Sequence, residues 1–395
     1  MKKNFLSAAM LCAIINTKAQ TSTDSTGFKS RKLKLEEINF VSSYYRQNGN
    51  NAAVTGGIGT QKLTDIANMI NVKLVKYDKK YRKNIFDAEL GIDHYSSASS
   101  DMVDLKANSS ASSADTRIYP SLNWSRENKK KGTTIGTGLS TSVEYDYQSY
   151  GANLSFSQKT KNKNGEFTAK VQAYLDQVSQ IKPIELRDAT NSDDNTASKP
   201  RNTFAASLSY SQIINQRLQV MFLADAVQQN GYLSLPFHRV YFADGTVHQE
   251  NLPGNRFKIP LGIRANYFLG DRYIVNMYYR FYKDNWGLIA NTAELEVPIK
   301  ITPFFSVSPF YRYYSQTDAK YFAPYKQHTA TQQFYTSNYD LSKFNSQFLG
   351  ANFRITPPKG IFGIKQFSSM ELRYGHYSRT NGLNSDIMSL HIKLK

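Results

Sequence analysis

The sequence predicts an all-β chain folded as a single transmembrane antiparallel up-and-down β-barrel of about 16 strands, with short periplasmic turns and long external loops. Three observations predict it. Segments of about 10 residues alternate apolar and polar side chains along most of the chain. The links between these segments come in short-long order. The 395 residues also hold 27 Tyr and 23 Phe against 2 Trp and 1 Cys, a load that suits strands with one exposed apolar face better than helical cores. No segment of the mature chain reaches the roughly 20 apolar residues of a membrane-spanning helix, which excludes a helical transporter.

Residues 1–19 read as a secretory signal: Lys2 and Lys3 precede an apolar run from Phe5 to Ile15, and Ala19 before Gln20 gives a small residue at the cleavage point. Cys12 sits behind bulky Leu11, where a lipoprotein signal needs a small residue, so lipidation is not expected. Cleavage removes the sole cysteine, which excludes thiol and zinc-thiolate chemistry and leaves hydrogen bonds and burial to hold the fold. Residues 20–34, rich in Thr, Ser and Lys, read as a flexible periplasmic lead-in, and 35–395 as the barrel. The formal charge of +18 suits an anionic surface, while export excludes nucleic acid as a partner.

Counting a first ascending strand near Ile38 to Tyr44, the tight links are Asp78 to Lys80, Asn128 to Gly132, Lys161 to Gly165, Ile214 to Arg217, Gly270 to Arg272, Thr302-Pro303 and Thr356 to Lys365. Long links run Arg46 to Thr60, Ser96 to Asp115, Lys182 to Asn202, Gln228 to Arg256 and Ser315 to Ser346. Briefer ones lie at Tyr147 to Tyr150, Asp284 to Gly287 and Arg379 to Ser385. A soluble sandwich also alternates its faces, but it has no reason to sort its loops by side. Tyr44, Tyr45, Tyr95, Tyr147, Tyr232, Tyr282, Tyr313, Tyr314 and Tyr377 fall at the upper strand ends, where an interfacial girdle is expected.

The pleat then assigns the lumen. Ile135, Leu139, Val143, Tyr145 and Tyr147 read as one lipid-facing set, as do Ile259, Leu261, Ile263, Ala265, Tyr267 and Leu269, and Met388, Leu390, Ile392 and Leu394. Their neighbours turn inward. Asp87, Glu89, Asp93, Glu144 and Asp146 form an acidic wall, and Arg264, Arg280, Arg312, Arg354 and Arg373 a basic one, with Glu294, Glu296 and Glu371 pairing locally. Such a division sets a transverse field across a water-filled pore. In a sealed barrel the same groups would cross the lumen as ion pairs.

Thr55-Gly56-Gly57-Ile58-Gly59-Thr60 with Lys62-Leu63-Thr64-Asp65, Ser97-Ala98-Ser99-Ser100-Asp101, and Gly231-Tyr232-Leu233-Ser234 with Tyr241-Phe242-Ala243-Asp244-Gly245 together resemble the signatures of an exported bacterial family known as domain-of-unknown-function family 3570. The resemblance covers nearly all of the mature chain. It implies a one-domain outer-membrane barrel without a settled activity, and genes near thioredoxin-like and flavin-transferase-like exported proteins, an envelope redox setting. Lys395 departs from the terminal aromatic that barrel assembly usually recognises.

No chemistry stands out. Gly56, Gly57 and Gly59 with Lys62 lack the Gly-Lys-Ser/Thr run of a phosphate loop and have no helix behind them, so they read as a tight loop over the mouth. Asp188, Asp193 and Asp194 lack the spacing of a calcium loop, and His94, His238, His248, His328, His376 and His391 never pair at metal-ligand spacing. Nothing resembles a nucleophile elbow. The expectation is therefore a non-enzyme without cofactor or metal: a porin-like or transport-related barrel of the outer membrane. Its expected partners are membrane lipid, lipopolysaccharide and the assembly machinery. The alternative is a non-conducting barrel that docks an exported, redox-related partner through its aromatic loops, Gln228 to Arg256 and Ser315 to Ser346.

Overall fold

The computed structural model describes residues 32–96, 114–186 and 198–395. Its strands are β1 (Lys34–Asn48), β2 (Leu63–Tyr77), β3 (Lys83–Ser96), β4 (Ala114–Asn128), β5 (Thr133–Val143), β6 (Tyr147–Lys159), β7 (Gly165–Ser179), β8 (Ser198–Asn215), β9 (Leu218–Gly231), β10 (Arg239–Tyr241), β11 (Val247–Gln249), β12 (Asn255–Leu269), β13 (Tyr273–Asp284), β14 (Ile289–Glu296), β15 (Ile299–Thr302), β16 (Phe305–Gln316), β17 (Phe344–Ile355), β18 (Phe367–Arg379) and β19 (Asn384–Leu394). Apart from the β10–β11 hairpin, all lie in one antiparallel sheet of 17 strands. In that sheet β14 and β15 are two halves of one stave, because both pair with β13 and β16 across the break at Val297-Pro298, where Pro298 has no N–H to donate. Sixteen staves therefore close the ring. β1 pairs with β2 on one side and with β19 on the other, from Ile38↔Leu394 to Asn48↔Asn384, leaving the ring no free edge.

Every second link is short, as expected. The short-turn rim holds residues 78–82, 129–132, 160–164, 216–217, 270–272, 303–304 and 356–366, with the start of β1 and the end of β19. The other rim carries the long loops. One link differs: the expected break at Tyr147 to Tyr150 lies at 144–146 instead.

That shift has a consequence for facing. Val143 pairs with Gln148, so outward residues are odd on β5 and even on β6. Alternation carried unbroken past Val143 would put Tyr147 outside, whereas Tyr147 points inward and donates to Asp176 Oδ2. Among the nine girdle tyrosines, Tyr44 and Tyr313 are exposed on the outside. The pleat that turns Asp93, Arg280 and Arg373 inward must also turn Tyr95, Tyr282 and Tyr377 inward, and Tyr45 and Tyr314 alternate with their outward neighbours. Aromatic bands do occur outside, from other residues: Tyr150, Phe204 and Phe257 near the long-loop rim, and Phe86, Phe156, Phe167, Tyr273 and Phe353 near the short-turn rim.

Between the bands the outside is aliphatic. The cross-strand partners Leu122 and Leu139 are each 65% exposed, with Leu154, Val171 and Leu208 continuing the belt. An apolar surface that encircles the molecule demands an apolar solvent. No helix among the described residues is long and apolar enough to cross a membrane; the strands do the crossing. Leu122→Arg, at mid-height on the belt, is expected to cost about 2–4 kcal/mol of unfolding free energy in lipid vesicles. Ser121→Arg, inward beside Glu89, should cost under about 1 kcal/mol. Equal losses in urea titrations of the two variants would overturn the assignment of faces.

Candidate functional site

The lumen is built by the inward half of each strand. On β3, Asp87, Glu89 and Asp93 point inside; Asn71 Nδ2 donates to Asp87 Oδ1 at 2.6 Å, and the Tyr119 hydroxyl to Asp93 Oδ1 at 2.8 Å. Glu144 and Asp146 are not on this wall, because the chain has left β5 before reaching them. They lie in the 144–146 link at the long-loop rim, where the Tyr95 hydroxyl donates to Glu144 Oε2 at 2.6 Å and carboxylate oxygens of Asp115, Glu144 and Asp146 come within 4.8 Å of one another. Burial, with the Glu144 and Asp115 charges, pushes the Asp146 carboxyl above the usual carboxylate range.

The arginines stand between a quarter and half of the ring away, Arg264 and Arg280 the farthest. Three are neutralised by the glutamates expected to pair locally: Arg312 with Glu294 at 2.6 Å, Arg373 with Glu296 at 3.1 Å, and Arg354 with Glu371 at 3.2 Å. Each pair is partly exposed to the lumen and contributes little to stability. Arg264 and Arg280 have no carboxylate within ion-pair reach among the described residues. Their guanidinium groups stack instead on Tyr278 at 5.3 Å and Tyr282 at 5.9 Å. Arg264 opens on a cavity of about 500 Å³ with Asn266, Asn276, Tyr278, Glu294 and Arg312 around it.

Over the long-loop mouth lies a folded lid. The β9–β12 loop holds the β10–β11 hairpin, turned at Asp244-Gly245, where Gly245 has φ +90° and Asp244 Oδ1 accepts the Thr246 N–H at 2.9 Å. Arg239 of this hairpin is fully buried: it reaches both carboxylate oxygens of Glu185 in the β7–β8 loop and donates to the Val54 carbonyl of the β1–β2 loop at 2.8 Å. The same hairpin joins the β16–β17 loop, through a bridge between Phe242 and His328 and reciprocal backbone bonds between Asn251 and Tyr335 at 2.7 and 3.2 Å. These loops spring from well-separated points of the ring and can meet only across its opening.

The glycine cluster serves that meeting. Gly56 has φ +79° and lies against the Tyr241 ring, so close that a Cβ would stand 2.5 Å from it; at Gly57, φ +87°, a Cβ would meet the Ser337 carbonyl at 2.7 Å. Gly59, φ +83°, closes the loop by a bridge to Asn51. Asp65, expected in this loop, is the third residue of β2 and faces the lumen with an Oδ1 that has no partner among the described residues. Ser99, Asp101, Asp188, Asp193 and Asp194 lie outside the described residues.

Beneath the lid sits the molecule's one conventional apolar cluster among the described residues, Leu252, Trp286, Leu288, Ala290, Ala319 and Leu341. Trp286 donates to the Asn255 carbonyl at 2.9 Å and carries Arg256 over its face at 4.3 Å, and Arg256 is in turn paired with Asp284 at 2.6 Å. A second cavity of about 270 Å³ adjoins it, lined in part by Arg201, Gln229, Glu250 and Arg256. Sequence reasoning did not find Arg239, Glu185, Glu250 or Trp286. The available signal was Asp244-Gly245 between alternating residues, a hairpin within a loop.

Glu250 is the lid's second buried charge. Burial alone would push its carboxyl up, but facing His238, with hydrogen bonds from His238, the Thr336 hydroxyl and the Leu235 N–H, outweighs burial and holds it below the usual range. A carboxylate depressed in the folded state stabilises above its unfolded pKa, about 4.5, and loses that contribution as the pH falls through the folded value. Limited proteolysis within 232–254 should therefore be slow at pH 7 and accelerate below about pH 4.5. Glu250→Gln should flatten the profile; an unchanged profile would refute the linkage.

No curated protein matches the sequence. Among solved structures, the chain is similar to OccD3 (OpdP) of Pseudomonas aeruginosa at 7% identity, covering 93% of this chain and 92% of that one, with a TM-score of 0.45. It is similar to OccK9 (OpdG) of the same organism at 9% identity, 92% and 98% coverage and a TM-score of 0.44. Likenesses this distant say nothing of solute or activity. The family model described as protein of unknown function (DUF3570) matches residues 95–380, and with most of its length inside that match, the chain belongs to this family.

Proposed function

We propose that the chain is a porin-like barrel of the outer membrane that passes polar and charged solutes through its lumen, with the long-loop lid controlling entry. The observation that carries this reading is a pair of guanidinium groups with no carboxylate partner among the described residues, Arg264 on a polar cavity and Arg280 on the neighbouring strand, across the ring from Asp87, Glu89 and Asp93. A charge without a counter-ion is tolerable where water reaches it and costly where it does not. Acids on one side and free cations on the other orient and concentrate charged solutes between low-dielectric walls. The reading assigns no catalysis.

The docking alternative loses its motive. Phe242 packs on Tyr335 at 4.9 Å, Tyr241 on Tyr325 at 4.9 Å, Phe322 on Tyr339 at 5.1 Å and Phe334 on Tyr321 at 5.7 Å. The loop aromatics thus hold the lid together instead of facing a partner.

Planar-bilayer recordings of refolded protein test the proposal. Discrete conductance is expected for the native chain, with a larger or more persistently open current for Arg239→Ala, which strips the Glu185 and Val54 contacts from the lid. Arg264→Gln with Arg280→Gln should shift the reversal potential in a salt gradient towards cations. Silence from both the native chain and Arg239→Ala would overturn the pore.

A further inference from the structure

The strand register places Lys76 of β2, Asn84 of β3 and Arg126 of β4 side by side near the short-turn rim. One step up the belt lies the outward apolar row Leu74, Phe86 and Trp124. Arg126 is held from two sides. Its Nε donates to Asn84 Oδ1 at 3.0 Å, and its guanidinium lies 4.9 Å from the Trp124 ring centre. Asn84, only 6% exposed, is itself anchored by donating to the Lys76 and Arg82 carbonyls at 3.4 and 3.3 Å. A side chain so pinned loses little further entropy when it binds.

Among the described residues no carboxylate pairs with this row. The nearby acids are already engaged: Asp78 with Arg82 at 2.7 Å, Glu36 with Lys83 at 2.8 Å and Glu127 with Lys159 at 3.8 Å. Below the row the exposed turns add Lys79 and Lys80 on one side and Lys129, Lys130 and Lys131 on the other. Excess positive charge is thus gathered where the apolar belt meets water.

We propose that this row binds the headgroup of an anionic glycerophospholipid. The phosphate would lie on the free Nη groups of Arg126, Lys76 and the turn lysines would supply the field, and the acyl chains would run up Leu74, Phe86 and Trp124. A cationic end joined to an apolar strip matches an amphiphile; an acidic protein could meet the turn lysines but has no use for the Trp124 row. This inference rests on the membrane reading of the belt.

Spin-labelled lipids test it, with the full chain reconstituted in phosphatidylcholine vesicles and the motionally restricted fraction measured by electron spin resonance. Labelled phosphatidylglycerol should be preferred over labelled phosphatidylcholine by roughly fivefold at low salt. Arg126→Gln with Lys76→Gln should bring the ratio near one, and Arg126→Lys should keep most of it. Inorganic phosphate at millimolar concentration should not compete, since it lacks the chains. Equal restriction of both lipids by the native chain, full selectivity in the double glutamine variant, or displacement of the lipid by inorganic phosphate or by soluble polyglutamate would overturn the site. Absence of any restricted lipid would instead sink the membrane reading, and this inference with it.

Discussion

Closure of the hydrogen-bond ladder is the constraint on which everything else here depends. A strand inside hydrocarbon has no water to satisfy its N–H and C=O groups, so the sheet can have no edge. The β1–β19 register meets that demand by joining the first and last strands over their shared length. Once the ring is closed, side chains have two destinations and the pleat sends them alternately to each. Apolar residues take the outside and polar ones the inside, the inverse of a soluble domain. With the interior of the ring given to polar groups, a conventional core must form elsewhere, and it forms among the loops. Among the described residues, fully buried side chains such as Arg239, His328, Val54, Val240 and Thr336 all lie there and none on the staves.

A core made of loops needs something to fix its geometry, since apolar packing alone is non-directional. Arg239 supplies direction. Removing a guanidinium from water costs several kcal/mol, an expense offset only by well-placed partners. Here both Glu185 oxygens and the Val54 carbonyl serve, each from a different loop. If the loops shift, the charge loses the Glu185 and Val54 contacts, which ties the position of three loops to one side chain. Gly56 and Gly57 belong to the same logic: they give up side chains so that the β1–β2 backbone can touch the Tyr241 ring and the Ser337 carbonyl.

The staves were legible in the sequence because a period of two is a local property. The order of links and the ring size are readable from where that period starts and stops, and its parity puts Asp87, Glu89, Asp93, Arg264, Arg280, Arg312, Arg354 and Arg373 on the face opposite the apolar residues. The failures were local as well. An unbroken count past Val143 carried Tyr147 to the wrong face and Glu144 and Asp146 onto a wall they do not join, since a slip of one residue reverses the facing. Height alone does not place the tyrosines at the strand tops; parity decides their facing, and most of them face inward. The lid was illegible for a different reason. Arg239 and Val54 are 185 positions apart, and no periodicity links residues that meet only because a ring brings their loops together.

Arginine is treated in two ways in this molecule, and the contrast bears on the state of the lumen. Arg239, fully buried, has a carboxylate partner, and so does half-buried Arg256 under the lid, because an unpaired charge in a dry interior costs far more than any packing returns. Arg264 and Arg280, on the lumen wall, have only tyrosine faces among the described residues. Cation–π contacts contribute about 0.5–2 kcal/mol, too little to offset full desolvation. Water must therefore hydrate these two groups, and on the proposed reading a lumen that hydrates them would admit small polar solutes on the same terms. On that reading the wall selects among solutes but cannot shut, and closing the pore is left to the lid.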